Sequence, residues 1–165
     1  AANRKIDHRP FDLRKLVATT GAPPIASRTQ AHKDYFFGRE IERWAEYRNI
    51  PIMTGTPTYH AHDITLSNCQ GLNIDKLSLE MLHAHWVDDF DLNNPEHLTK
   101  ICARAGVDPS PLLSAALSSE VREIYDKNTE EAIRRSAFGS PTYFIDGDMF
   151  YGQDHLELIA HILKI

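Results

Sequence analysis

Cysteine is scarce. The 165 residues hold two, Cys69 and Cys102, too far apart in sequence to form a Cys-x-x-Cys pair. No dithiol redox centre is readable from them, and each reads as a small buried hydrophobe in a reducing, cytoplasmic setting. Long apolar runs are missing too: nothing approaches the ~18 residues of a membrane span. Basic charge is short. Eighteen Lys and Arg face 23 Asp and Glu, for a net charge of −5, which argues against a nucleic-acid partner because phosphate binding needs a basic face. No internal repeat or low-complexity segment shows. What is present is the composition of an ordinary globular protein, 42% hydrophobic and 25% charged. The length suits one domain with a core, or one domain carrying an insertion.

Helical patterns dominate the chain. Ile6 to Leu13 reads as a strand turning at Pro10, with a short helix over 13–20 closed by Gly21. Ala22-Pro23-Pro24 reads as extended, since a residue before proline is pushed out of the helical region. The spacing predicts a helix over 33–49, its faces traced by Phe36 or Phe37, Ile41, Trp44, Ala45 and Arg48, and ended by Pro51. Further helices are expected over 64–72, opening at Asp63, and over 75–90, with Leu77, Leu79, Met81, Leu82 and Trp86 as core candidates. Asn94 caps another at Pro95, running to Ala105 and stopping at Gly106. Two more follow, from Asp108 through Leu117 and from Ser119 or Glu120 to Ser136.

The tail is the most informative stretch. Residues 138–155 read Phe-Gly-Ser-Pro-Thr-Tyr-Phe-Ile-Asp-Gly-Asp-Met-Phe-Tyr-Gly-Gln-Asp-His. Thr142 to Ile145 is a β-branched and aromatic run, so it reads as a strand. Asp146-Gly147-Asp148 is a hairpin turn signal, and Met149 to Tyr151 returns as a second strand. Asp154 is placed to cap a helix whose Leu156, Ile159, Ala160 and Leu163 recur at helical spacing. Proline belongs at a strand start, where Pro141 sits.

Proline, strand, DG turn, strand, glycine and helix, in that order, resemble the C-terminal half of a thioredoxin fold. More narrowly, the tail is similar to the FGVPTFFVDGEMFWGNDRL type of segment found in 2-hydroxychromene-2-carboxylate isomerases and kappa-class glutathione transferases. Arg9-Pro10-Phe11, Thr20-Gly21, Lys33, Glu42-Arg43-Trp44-Ala45, Pro51 and Trp86 fall where that family has similar signals. The resemblance implies an α/β, thioredoxin-like (DsbA/kappa type) sheet with an inserted all-helical domain. Residues 1–30 and 119–165 would form the thioredoxin-like part, and 31–118 the insertion. The first β-α unit, with the serine that contacts the glutathione sulfur, would precede residue 1, because neither Ser110-Pro111 nor Ser140-Pro141 fits a β1-α1 turn.

The resemblance further implies a cis Ser140-Pro141 bond whose backbone pairs with glutathione. Gln153 and Asp154 would hold its γ-glutamyl end, and Lys33 would serve the carboxylate of an aromatic enone-pyruvate substrate. Ser140 stands where the family has Val or Leu, and Ala22 where it often has Asn. The implied enzyme is a glutathione-dependent isomerase, homodimeric and cytoplasmic. The alternatives are a kappa-type glutathione transferase and a DsbA-like oxidoreductase or non-catalytic thioredoxin-fold binding domain. No metal site is expected. His83 and His85 diverge on a helix, the pair His60 and His62 is short of ligands, and Asp88-Asp89-Phe90-Asp91 lacks the glycine and distal Glu of a calcium loop.

Overall fold

The computed structural model describes residues 5–21, 27–70 and 75–165. Among them the order is α1 (Leu13–Thr20), α2 (Gln30–Asp34), a π-helical turn (Tyr35–Arg39), α3 (Glu40–Arg48), α4 (Thr65–Gln70), α5 (Asp75–Trp86), α6 (Pro95–Ala105), α7 (Pro109–Ala116), α8 (Ser119–Arg134), β1 (Thr142–Ile145), β2 (Asp148–Tyr151), a 3₁₀ turn (Gln153–His155) and α9 (Leu156–Leu163). The expected extended stretch at Ala22-Pro23-Pro24 and the end of the helix expected over 64–72 lie outside the described residues.

Local chemistry sets most of the boundaries. Asp12 caps α1 by accepting from the Lys15 N–H, and Asn94, Asp108 and Ser118 do the same for α6, α7 and α8. Pro95 and Pro109 occupy first-turn positions where a missing N–H costs nothing. The long helix expected over 33–49 starts three residues early, at Gln30, because Thr29 accepts from the His32 N–H. It widens into the π turn at Tyr35 before returning to α-helix at Glu40.

The main core lies where α5 packs on α6, with α7 alongside. Leu77, Met81, Ala84, Leu98, Ile101 and Cys102 form it. Leu77, Met81 and Ala84 repeat at i, i+4 and i+7, a single helical stripe. Leu79 and Leu82, expected in the core, fall outside that stripe and are 68% and 58% exposed. Trp86 is half-buried. A second cluster joins Cys69 of α4, Ala116 of α7 and Tyr125 of α8.

Ile6 to Leu13 is not a strand. Residues 5–12 have no regular structure, and among the described residues no strand lies beside them to complete a ladder. They run along α8 instead, held by side chains. The Asp12 N–H donates to Thr129 Oγ1 at 2.9 Å, Asn128 Nδ2 donates to Pro10 O at 3.2 Å, and Arg9 pairs with Glu131. Thr129 is fully buried and also donates to Tyr125 O at 2.9 Å, so it welds this segment and α1 to α8.

The sheet among the described residues is the antiparallel pair β1–β2, in the register Thr142↔Tyr151, Tyr143↔Phe150, Phe144↔Met149 and Ile145↔Asp148. Asp146 (φ 51°) and Gly147 (φ 94°) both take positive φ, the requirement of the two-residue turn that matches strand twist. Arg135, at the end of α8, lies 3.5 Å from the centroid of the Phe144 ring, which ties the long helix to the hairpin.

Candidate active site

The hairpin's open end brings together two of the sequence-predicted elements. Ser140-Pro141 is a cis peptide bond and leads directly into β1. The carbonyl of Pro141 accepts from the Gly152 N–H at 3.0 Å, so the proline turn and the Gln153–His155 turn sit side by side. Ser140 is exposed, and among the described residues nothing bonds to its backbone N–H or C=O. That edge is open to an extended peptide-like ligand.

Asp154 is not a helix cap. A 3₁₀ turn separates it from α9, and neither that turn nor α9 has a side-chain cap bond. The reason is local. Gly152 takes φ 97°, and the chain folds so tightly there that a Cβ on Gly152 would collide with the Asp154 carboxylate. The carboxylate turns back toward His155, whose Nδ1 lies 3.4 Å from Asp154 Oδ1. This is within ion-pair reach but without hydrogen-bond geometry, although that nitrogen is itself buried. With its side chain 57% exposed, the Asp154 carboxylate is accessible from solvent.

Lys33 lies on α2 and is half-buried. Among the described residues no ion pair or side-chain hydrogen bond joins it to the hairpin end. The connection between the helical arm and that end is made by Arg48, a residue sequence reading assigned only to a helix face. Arg48 Nη2 donates to Gln153 O at 3.3 Å, and its guanidinium lies 5.2 Å from the Trp44 ring centroid. Burial pushes the Tyr143 phenol up, and the charge of Arg48 opposes this. The only sequence trace was a cation at the C-terminal end of an aromatic helix; its partner lies 105 residues away.

The histidines and aspartates of the middle region have structural partners. His60 Nδ1 and His85 Nε2 are 3.1 Å apart, and His85 Nδ1 faces Phe90 O at 3.3 Å. Asp89 accepts from the N–H and hydroxyl of Thr58, both at 2.6 Å, and Asp88 pairs with Arg104. No group of three or more such side chains is arranged to hold a metal ion among the described residues.

Burial, and secondarily the neighbouring His85, hold the His60 imidazole below its ordinary value. The unfolded chain therefore binds a proton at His60 more readily than the folded chain. This contribution to stability is present above the ordinary imidazole pKa of about 6.5 and is lost as pH falls toward the folded-state value. The urea midpoint should drop as pH falls through and below the ordinary imidazole value of about 6.5, and His60→Gln should flatten that drop. The lowered carboxylates Asp63, Asp88 and Asp89 lose stability in the same direction but in a window below about pH 4.

Cys69 and Cys102 are 4% and 0% exposed, on separate helices, and burial pushes both thiols up. Neither is poised as a nucleophile. A cleft of about 450 Å³ between residues 7–9 and α8, flanked by Ile124, Lys127, Glu131 and Arg134, is lined by none of the predicted site residues. No helix among the described residues is long and apolar enough to cross a membrane.

Comparison with known proteins follows the same lines. A 2-hydroxychromene-2-carboxylate isomerase of Sphingobium xenophagum is 24% identical over 164 residues, covering 96% of this chain and 82% of that protein. Isomerases of the same name from Pseudomonas sp. (strain C18) and Pseudomonas putida are 23% and 22% identical, over 92% and 93% of this chain and 72% and 77% of their own lengths. The solved structure of a 2-hydroxychromene-2-carboxylate isomerase superposes with a TM-score of 0.77 at 21% identity, covering 94% of this chain and 78% of that one. The fold is therefore the DsbA-like thioredoxin fold, mostly helical with a small two-stranded sheet among the described residues. The sequence pattern of the DSBA-like thioredoxin domain matches residues 1–164, and the chain belongs to that family.

Proposed function

We propose that this chain is a glutathione-dependent isomerase of the 2-hydroxychromene-2-carboxylate type, acting on an aromatic enone that carries a pyruvate carboxylate. The observation that carries the reading is the set of relatives bearing that name, each aligned over more than nine-tenths of this chain. The open end of the hairpin supports it. An exposed Ser140 with an unbonded backbone edge, beside an Asp154 carboxylate that caps nothing, fits a small peptide with a free ammonium group.

Bound glutathione would supply a thiolate that adds reversibly to the conjugated double bond, freeing a single bond to rotate before elimination. The chain's own groups then have distinct tasks. The Asp154 carboxylate faces the γ-glutamyl ammonium, a charge-assisted contact. The Gln153 side chain hydrogen-bonds the same end. The backbone N–H and C=O of Ser140 fix the peptide in an extended form, and cis Pro141 keeps that edge turned outward. Arg48 holds the Gln153 carbonyl and so positions the turn. Lys33 attracts the substrate carboxylate and favours negative charge developing on the adjacent oxygen. A homodimer and a cytoplasmic setting belong to the same proposal.

The buried cysteines give no support to the oxidoreductase alternative. The test is the absorbance change of trans-o-hydroxybenzylidenepyruvate with and without glutathione. A glutathione-dependent conversion to the cyclic isomer is expected. Conjugation of a generic aryl halide without isomerisation would move the chain to the kappa-type transferases.

A further inference from the structure

The helical arm formed by α2, the π turn and α3 carries a face to which, apart from Lys33, no role has been assigned. Arg39, Arg43, Arg104, Arg122 and Arg135 each pair with a carboxylate. Arg28 has no carboxylate partner among the described residues. Its guanidinium lies 5.9 Å from the Phe36 ring centroid and 5.7 Å from that of Phe37, so one cation is shared by two rings. Those rings are 46% and 39% exposed.

The π turn produces this arrangement. Its wider spacing makes successive side chains diverge less than in an α-helix, and two consecutive phenylalanines flank one guanidinium. Tyr35 stands edge-on to Phe36 at 5.1 Å, and His32 lies 5.9 Å from the same ring. Lys33, likewise without a carboxylate partner among the described residues, is one helical turn before Phe37. The result is an exposed shelf of rings with unneutralised positive charge, on a chain whose net charge is −5. Clustered exposed apolar surface of this kind marks a binding face.

We propose that this shelf binds a planar aromatic carboxylate, the ligand's ring lying against Phe36 and Phe37 and its carboxylate meeting the Arg28 guanidinium as well as the Lys33 ammonium. Charge complementarity selects the ligand class. A planar guanidinium matches a carboxylate in a fork geometry while stacking on rings. A neutral ring lacks the ion pair, and an aliphatic acid lacks the stacking. The choice of ligand rests on the isomerase reading above, for which this face supplies the recognition of the substrate's ring.

The experiment is a calorimetric titration of the whole chain with 2-naphthoate, with acetate and 2-naphthalenemethanol as comparisons. Saturable binding of naphthoate is expected, with both comparison compounds weaker by about tenfold or more. Arg28→Gln and the double variant Phe36→Ala/Phe37→Ala should each weaken naphthoate by about tenfold. Arg122→Gln, which removes a cation on α8 already paired with Asp126, should leave it unchanged. Unaltered far-ultraviolet circular dichroism shows that the variants fold.

No saturable naphthoate binding, or binding indifferent to both shelf variants, overturns the proposal. So does a dimer that the double phenylalanine variant splits while naphthoate fails to bind, which would give the face to a second copy of the chain. Glutathione is titrated into the same samples. Naphthoate binding without glutathione binding would retire the glutathione reading and leave the shelf standing. Glutathione binding without naphthoate binding would overturn the shelf alone.

Discussion

Leu98→Ala should destabilise the chain by about 2–5 kcal/mol in urea or thermal unfolding. Leu98 is fully buried on α6, among Leu77, Met81, Ala84, Ile101 and Cys102. Removing its isobutyl group loses the transfer free energy and leaves a cavity that helices fixed on several sides close only in part. The control is Leu79→Ala. Leu79 lies on the solvent side of α5 at 68% exposure, and its loss should stay within about 0.5 kcal/mol. Equal effects at the two positions would mean that α5 presents a different face to the core.

That contrast also shows where sequence reading ends. Helices whose ends are written in neighbouring residues were legible: Asn94 and Pro95 opened α6, Gly106 closed it, and Asp146-Gly147 placed the hairpin turn. The face a helix buries was less legible. α5 carries leucines on several sides, and only its packing on α6 selects the stripe of Leu77, Met81 and Ala84. The strand expected over Ile6 to Leu13 failed for a related reason. A strand exists by pairing, and this segment is bound by α8 side chains such as Thr129 and Asn128.

The site divides in the same way. The cis Ser140-Pro141 turn, the hairpin and the adjacent Gln153–Asp154 turn lie in one continuous stretch, and their order was readable through the family resemblance. The helix cap assigned to Asp154 was not, because the backbone at Gly152 folds its carboxylate back toward His155. Arg48 was missed because its contact joins residues far apart in sequence, and nothing local to α3 announces Gln153 as its partner.

The central claim is that the open end of the hairpin holds glutathione through Asp154. Asp154→Ala distinguishes this proposed role from a structural one. Asp154 makes no cap bond and its side chain is 57% exposed, so Asp154→Ala should change stability by no more than about 0.5 kcal/mol. A charged hydrogen bond to the γ-glutamyl ammonium, by contrast, contributes about 1.5–3 kcal/mol, which is a loss of roughly 10-fold to 150-fold in affinity. Asp154→Asn keeps the shape and removes the charge, and should lie between the two.

The most direct measurement is calorimetric titration of glutathione into the folded chain and into Asp154→Ala. Binding to the unaltered chain, weakened in the variant by that amount at unchanged stability, is the predicted result. No glutathione binding by the folded chain, or equal affinity in the variant, would contradict the account.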